Sequence, residues 1–365
     1  MKILIILNEN PVGSHVDVHN ALEQLVEEGE LQSYCIYPFS ARLQDGLNSQ
    51  RVELEILKIA NEYQPGTILW AHTAGLNVSQ DTIKSLRCLR SGPSLGYWEG
   101  DMYHKPYKKL PAEVTRLTTS CDVVFCQGFG PMTDFLRKKG CRDIRYVPAP
   151  TDEWRFGRIR SVSDEIVFDV VMVGNYIYSK LPWRTMPGSK WRKELSILLY
   201  RKLGSRFASF GNGWKGPYAA GPIPFDRQAD AYHKSRIALG VNNLHARYFF
   251  SNRLPIAMSS GITVVHNYEL GFEELFDPQS GCFFFRDTSE AWKIIKTLLE
   301  KDQTELDKIG LMARDFAVKH FNVINIMKYM INVLKSRCTK KENAGTVVDK
   351  ENPWLKKQQS VRAFS

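Results

Sequence analysis

Ser251-Asn252-Arg253-Leu254-Pro255-Ile256-Ala257-Met258-Ser259-Ser260-Gly261-Ile262-Thr263-Val264-Val265-His266 is the stretch that decides the fold class. It opens with a helical segment near Asn252–Ser259, breaks at Gly261 and enters a strand at Thr263–His266. Asn267-Tyr268-Glu269-Leu270-Gly271-Phe272-Glu273-Glu274-Leu275-Phe276 follows as a polar turn. Helix, glycine, short apolar strand and polar turn make the repeating unit of a parallel sheet covered on both faces. Ligands bind beyond the C-terminal strand ends of such sheets, so the residues after each strand are the functional candidates.

The same alternation extends in both directions. In the first half, strands are expected at Ile3–Leu7, Tyr34–Pro38, Thr67–Ala71, Ser94–Trp98, Val123–Cys126 and Ile144–Val147. Helical periodicity lies between them, near His15–Glu28, Gln50–Tyr63, Ser79–Arg90 and Pro131–Lys139. The rhythm pauses between Pro148 and Asp164. It resumes with strands at Val167–Val173, Phe207–Phe210, Ile237–Val241, Thr263–His266 and Cys282–Phe285, and a final amphipathic run covers Glu305–Lys335. The expected architecture is α/β: two Rossmann-like, doubly wound domains facing a central cleft. Their expected bounds are 1–155 and 156–320, followed by a helix over 321–336 crossing back to the first domain and a flexible basic tail over 337–365.

The chain has 365 residues, of which 43% are hydrophobic and 12% aromatic, enough for two packed cores and against overall disorder. No apolar run reaches the roughly 18 residues of a membrane span, and MKILIILNEN reads as a buried first strand, so a cytoplasmic protein is expected. The seven cysteines are scattered, with no Cys-x-x-Cys pair, and read as reduced interior residues. Half of the net charge of +10 falls in the tail, where residues 335–365 carry eight Lys and Arg against three acids. The stretch Tyr178–Arg206 adds eight basic residues against Glu194 alone, a basic surface suited to phosphate groups.

Several strand ends carry residues fit for a ligand. Val173-Gly174-Asn175 ends a buried run at a glycine, where backbone amides can face phosphate. Gly211-Asn212-Gly213-Trp214 makes a tight turn, and the strand ending at Val241 runs into Asn242-Asn243. Each feature alone also fits an ordinary strand-end turn.

Taken in order, Gly174, the Gly211-Asn212-Gly213-Trp214 turn, Ser251-Asn252-Arg253, the Gly261 strand and Gly271-Phe272-Glu273-Glu274-Leu275-Phe276 resemble the donor domain of GT-B glycosyltransferases. Within these the chain is most similar to the group named after the spore-maturation protein CgeB. The resemblance covers about Asp169–Phe276, with Tyr97-Trp98-Glu99-Gly100-Asp101 as its counterpart in the first half. It implies a nucleotide-diphosphate sugar as donor, a UDP-sugar first among them, bound by Gly174, Asn175, Gly211, Asn212, Asn242, Arg247, Asn252, Arg253, Tyr268, Glu269, Gly271 and Glu273. Arg253 is the foremost cation for the diphosphate, because a guanidinium and a helix start both favour anions. Glu273 and Glu274 either cap a helix or hold ribose hydroxyls.

One departure stands out. Many relatives carry a ribose-gripping glutamate where this chain has Ile256, and Tyr248 occupies the site of a second carboxylate eight residues earlier. An acceptor-side base is sought in the first half, among His15, His72 and Asp101, with Glu99 not separable from Asp101 by sequence. No Asp-x-Asp lies at a strand end, so no obligatory metal or other cofactor is expected; helix dipoles and basic side chains serve the leaving diphosphate instead. The expected partners are the nucleotide-sugar donor and an acceptor that is either a surface glycan or modified DNA. Lys105-Pro106-Tyr107-Lys108-Lys109, Trp183-Arg184 and Lys190-Trp191-Arg192-Lys193 interleave cations with aromatics, which suits DNA or peripheral contact with an anionic membrane. The alternative is a non-catalytic nucleic-acid or membrane-binding protein that retains the fold.

Overall fold

The computed structural model describes residues 1–161, 164–179, 181–338 and 352–355; most of the basic tail read from the sequence lies outside them. The chain divides into two compact units. Unit 1 comprises Met1–Met102, Lys109–Val147 and the chain from Val323 onward, and unit 2 comprises Tyr103–Lys108 and Pro148–Asn322.

Unit 1 holds strands β1 (Lys2–Leu7), β2 (Ser33–Pro38), β3 (Thr67–Ala71), β4 (Ser94–Glu99), β5 (Val123–Cys126) and β6 (Ile144–Tyr146). They form one parallel sheet in the order β2-β1-β3-β4-β5-β6. Ile3 to Leu7 and Ile68 to Ala71 are all at most 1% exposed, which explains why these strands read as unbroken apolar runs rather than alternating ones. The helices are α1 (Val16–Glu27), α2 (Phe39–Gln44), α3 (Ser49–Tyr63), α4 (Gln80–Arg87), α5 (Ala112–Ser120) and α6 (Pro131–Lys138). Asn48 and Ser79 cap α3 and α4 through their side chains.

Unit 2 holds β7 (Phe168–Val173), β8 (Phe207–Phe210), β9 (Ala219–Gly221), β10 (Ser235–Gly240), β11 (Thr263–Asn267) and β12 (Cys282–Phe285), in the order β12-β11-β10-β7-β8-β9. Renumbered within the unit this is 3-2-1-4-5-6, the dinucleotide-fold order, with the switch between β7 and β10. Its helices are α7 (Glu153–Phe156), α8 (Pro187–Leu203), α9 (Gln228–His233), α10 (Arg253–Ser259), α11 (Phe272–Leu275), α12 (Thr288–Leu299) and α13 (Gln303–His320). The core joins Val170, Met172, Leu195, Leu199, Ile237 and Val265.

The final amphipathic run is two helices rather than one. It breaks after α13 at Phe321, whose ring is wholly buried among Phe250, Phe276 and Phe316, and whose carbonyl accepts the Thr151 amide at 2.8 Å. The chain then enters α14 (Val323–Cys338), which packs on α1, β3 and β4 of unit 1. Leu334 sits so tightly on Gly96 that an added methyl group there would stand 2.9 Å from its Cδ2. Asn352 and Trp354 join the same unit: Asn352 Nδ2 donates to the Tyr146 carbonyl at 2.8 Å, and Trp354 meets the Tyr329 ring edge-on at 5.2 Å. Among the described residues, no helix is long and apolar enough to cross a membrane.

Candidate functional site

The switch point of unit 2 is built around Arg192. On α8, Arg192 lies at a helical spacing of three, four and seven from Leu195, Ser196 and Leu199, and all four are buried. Its side chain, 1% exposed, therefore points under the sheet's C-terminal edge. Nε donates to the Val241 carbonyl at 2.9 Å, Nη2 to the same oxygen, and Nη1 to the Asn175 carbonyl at 2.9 Å. Asn175 follows β7 and Val241 follows β10, so one guanidinium ties the two strand ends across the switch. Among the described residues it has no acidic partner, and burial together with the Arg253 charge holds it well below its ordinary pKa. A buried cation balanced only by carbonyl dipoles beside a second cation leaves a local excess of positive charge. The sequence reading of Trp191 and Arg192 as part of an exposed basic face is thereby corrected: Trp191 packs on Phe285, and Arg192 is interior.

The loops around this point are tightly framed. The start of α8 sits on the β10 loop, where a Cβ at Gly188 would lie 1.6 Å from the Asn242 carbonyl oxygen. Asn242, fully buried, receives Ser251 N–H at 3.2 Å on Oδ1 and donates from its amide to Asn267 Oδ1 at 2.7 Å. Its Nδ2 reaches the Phe249 carbonyl at 2.9 Å and Glu269 Oε1 at 3.3 Å. Asn242 thus positions the turn that delivers Arg253. The Gly174 amide donates to the Phe210 carbonyl, and its own carbonyl accepts Trp214 Nε1 at 2.7 Å. The Gly211 amide donates to the Gly221 carbonyl, and Asn175 Oδ1 accepts the Asn212 amide at 2.9 Å. Asn252 precedes α10 with no side-chain cap, and Arg253 begins that seven-residue helix.

The acidic residues after β11 are engaged within the protein. Glu273 Oε2 accepts Tyr268 Oη at 2.6 Å and the Gly271 amide at 3.2 Å, which lowers its pKa and makes it a tie across the start of α11. Glu274 Oε1 accepts both Arg247 Nη2 and Tyr248 Oη at 2.8 Å. Glu269, 5% exposed, accepts Asn267 Nδ2 at 2.6 Å and the ring of His245 at 2.8 Å, a histidine that the sequence reading passed over.

In unit 1 the strand order switches between β1 and β3. His72 follows β3 with φ of +53°, a conformation uncommon for non-glycine residues, at a cost of order 1–3 kcal/mol, and enriched at functional sites. Its Nδ1 lies 3.3 Å from Glu99 Oε1 and 3.1 Å from the Gly100 amide. The Gly100 N–H donates to Nδ1, which makes that nitrogen an acceptor, with the Glu99 carboxyl close beside it. Glu99 is 2% exposed and is further held by the Asp101 amide at 3.0 Å and Tyr97 Oη at 3.3 Å. Of the two acids that sequence left unseparated, Glu99 is thus the one joined to His72, while the Asp101 side chain is exposed. His15 bonds the Asn8 carbonyl through Nε2 at 2.9 Å. Among the described residues, no three His, Cys, Asp or Glu side chains cluster as metal ligands would.

Residues 192–332 match the model of a family described as glycosyl transferase-like. No curated protein matches the chain. The crystal structure of Anabaena HepE in complex with UDP and glucose aligns at a TM-score of 0.55 and 15% identity, over 92% of this chain and 100% of that one. The fold is GT-B. Two further GT-B relatives in structure are sucrose-phosphate synthase from Thermosynechococcus elongatus and a DNA-modifying β-glucosyltransferase solved with and without uridine diphosphoglucose. The first aligns at TM-score 0.58 and 12% identity over 93% of this chain and 100% of the other. The second aligns at 0.55 and 16% over 91% and 100%. At these identities the GT-B likeness is one of fold, and residue roles rest on the geometry above.

Proposed function

We propose that this protein is a glycosyltransferase that moves a sugar from a nucleotide diphosphate, UDP first among candidates, to an acceptor hydroxyl. The observation that carries the reading is Arg192 spanning the unit 2 switch point, with Arg253 near enough to lower its pKa and, among the described residues, no acid opposite it. Positive charge fixed in advance at a strand-end crevice suits a leaving diphosphate, since it needs no reorganisation during bond cleavage. The glycosyl transferase-like match over residues 192–332 supports it, as do the UDP complexes of HepE. The similarity to the CgeB group belongs to this same reading.

Arg253 is the residue we assign to the diphosphate, with Arg192 as its positioning residue. Arg253→Ala should lower kcat/KM for the donor by tenfold or more, about 1.4 kcal/mol of transition-state binding; unchanged kinetics would remove it from the site. The His72–Glu99 pair is assigned to take the acceptor proton. The reading as a whole is tested by a thermal-shift panel of UDP, GDP, TDP and CMP with their sugars, without added metal. A selective rise for one nucleotide supports a donor site, and no response to any of them favours a binding protein that keeps the fold.

For the acceptor we infer a surface glycan or modified DNA, and one observation favours trying DNA first. On the loop after β7, Tyr178 and Trp183 are 65% and 62% exposed beside the exposed Arg184 and Lys190, a pattern suited to stacking and phosphate contact. A salt-sensitive gel shift on duplex DNA supports that branch. Its absence returns the acceptor to a glycan, and binding to anionic vesicles instead would identify the patch as a membrane contact.

A further inference from the structure

Another histidine–carboxylate pair lies in unit 2, with no role in the mechanism so far. His245 stands on the loop after β10 and Glu269 on the loop after β11, both at the strand-end edge that also presents Arg192 and Arg253. Glu269 is 5% exposed, and its Oε1 is fixed by Asn267 Nδ2 at 2.6 Å and Asn242 Nδ2 at 3.3 Å. It therefore approaches His245 as an anchored, desolvated acceptor. Nδ1 of His245 meets it at 2.8 Å, so the Nδ1 proton is committed to the carboxylate. The other face of the ring lies beside Trp191, with centroids 6.0 Å apart.

Two details separate this pair from an ordinary buried ion pair. The His245 side chain is 42% exposed while its partner is 5% exposed, so the ring stands at the surface on a buried anchor. Among the described residues, Nε2 has no hydrogen-bond partner. Asn242, which helps hold Glu269, also holds the Ser251 amide two residues before Arg253. The imidazole and the Arg253 turn are thus positioned by one buried amide.

We propose that His245 Nε2 donates a hydrogen bond to a phosphate oxygen of the nucleotide-diphosphate donor, with Glu269 holding the imidazole as a cation for that purpose. This rests on the donor-site reading above and adds a third positive group to Arg253 and Arg192. Glu269 raises the His245 pKa through its hydrogen bond, against a smaller opposing effect of burial. Among the described residues it is the charged group facing the ring, Trp191 being the uncharged one. The cation therefore persists to higher pH than in a free histidine, and the contact is lost as pH rises through the raised value.

The probe is UDP-glucose, whose diphosphate diester does not itself titrate near neutrality. Its affinity should be measured calorimetrically from pH 5.5 to 8, below the ionisation of the uracil ring, for the wild type, His245→Gln and Glu269→Gln, with uridine as a second ligand. The expected result is wild-type affinity falling about tenfold across the range, a flat and weak profile for His245→Gln, and a fall displaced to lower pH for Glu269→Gln. Uridine binding should not change with pH. UDP-glucose binding with the same profile in wild type and His245→Gln overturns this inference and leaves the donor reading standing. An equal pH dependence for uridine overturns the phosphate assignment, because the ring would then contact the nucleoside. No binding of UDP-glucose at any pH removes the donor reading and this one together.

Discussion

His266, at the end of β11, is 2% exposed, and burial near Arg192 pushes its pKa down to about 4. Its Nδ1 bonds the Asn267 carbonyl at 2.8 Å as a neutral ring. The unfolded chain binds a proton near pH 6.5 where the folded one does not, so this stability is fully present above that pH. It falls away between about 6.5 and 4, by about 3 kcal/mol if the whole difference is realised. Chemical denaturation at pH 7 and pH 5 should therefore show a steeper acid loss in the wild type than in His266→Gln; equal slopes would refute it. His72→Ala and Glu99→Gln should each lower kcat by about 10²–10⁴-fold, with donor affinity unchanged, as expected of a pair that takes the acceptor proton. Equal turnover in His72→Ala would end that role. Sequence alone singled out His72 and the unresolved pair Glu99 and Asp101 by their places at strand ends, and Arg253 by its place at a helix start. It did not separate Glu99 from Asp101, because burial depends on Tyr97 and His72 meeting in space. Arg192 was hidden among surface cations, although its spacing from Leu195, Ser196 and Leu199 marks an inward face. His245 had no such local signal, since its partner lies 24 residues away.

At the scale of elements, the strand rhythm was well marked because each parallel strand is buried on both faces and bounded by glycine or polar turns. Four strands, β3, β5, β8 and β12, have the bounds read from sequence. Ala219–Gly221 went unread because a three-residue edge strand has too few side chains to show a period, and its register shifts between Ser209 and Phe210. The amphipathic spacing of Glu305–Lys335 runs on across the break between α13 and α14, although a separate helix was read over 321–336, and the burial of Phe321 fixes the turn. The seat of α8 supplies the sharpest element-scale prediction. Gly188→Ala places a methyl group 1.6 Å from a backbone oxygen of the β10 loop, so helix and loop must part. That should cost unit 2 several kcal/mol or displace Asn242 and with it nucleotide affinity. A wild-type melting temperature together with wild-type affinity for the variant would contradict this packing.

For the whole molecule, the important fact is that unit 1 is discontinuous, with α14 packed on α1, β3 and β4 although it is reached only after all of unit 2. A fragment of residues 1–147 should expose the surface covered by Leu334 and aggregate or bind a hydrophobic dye, and adding a peptide of residues 323–338 should suppress both. A soluble, cooperatively unfolding fragment without the peptide would count against it. The same topology bears on biosynthesis. Domains commonly fold in the order the ribosome delivers them, first synthesised first. Here every segment of unit 2 has been made before the helix that completes unit 1, so the first half to be translated is the last able to close. Limited proteolysis of ribosome-stalled chains should find residues 148–322 protected before residues 1–147, and until α14 emerges the nascent sheet of unit 1 stands as a client for chaperones.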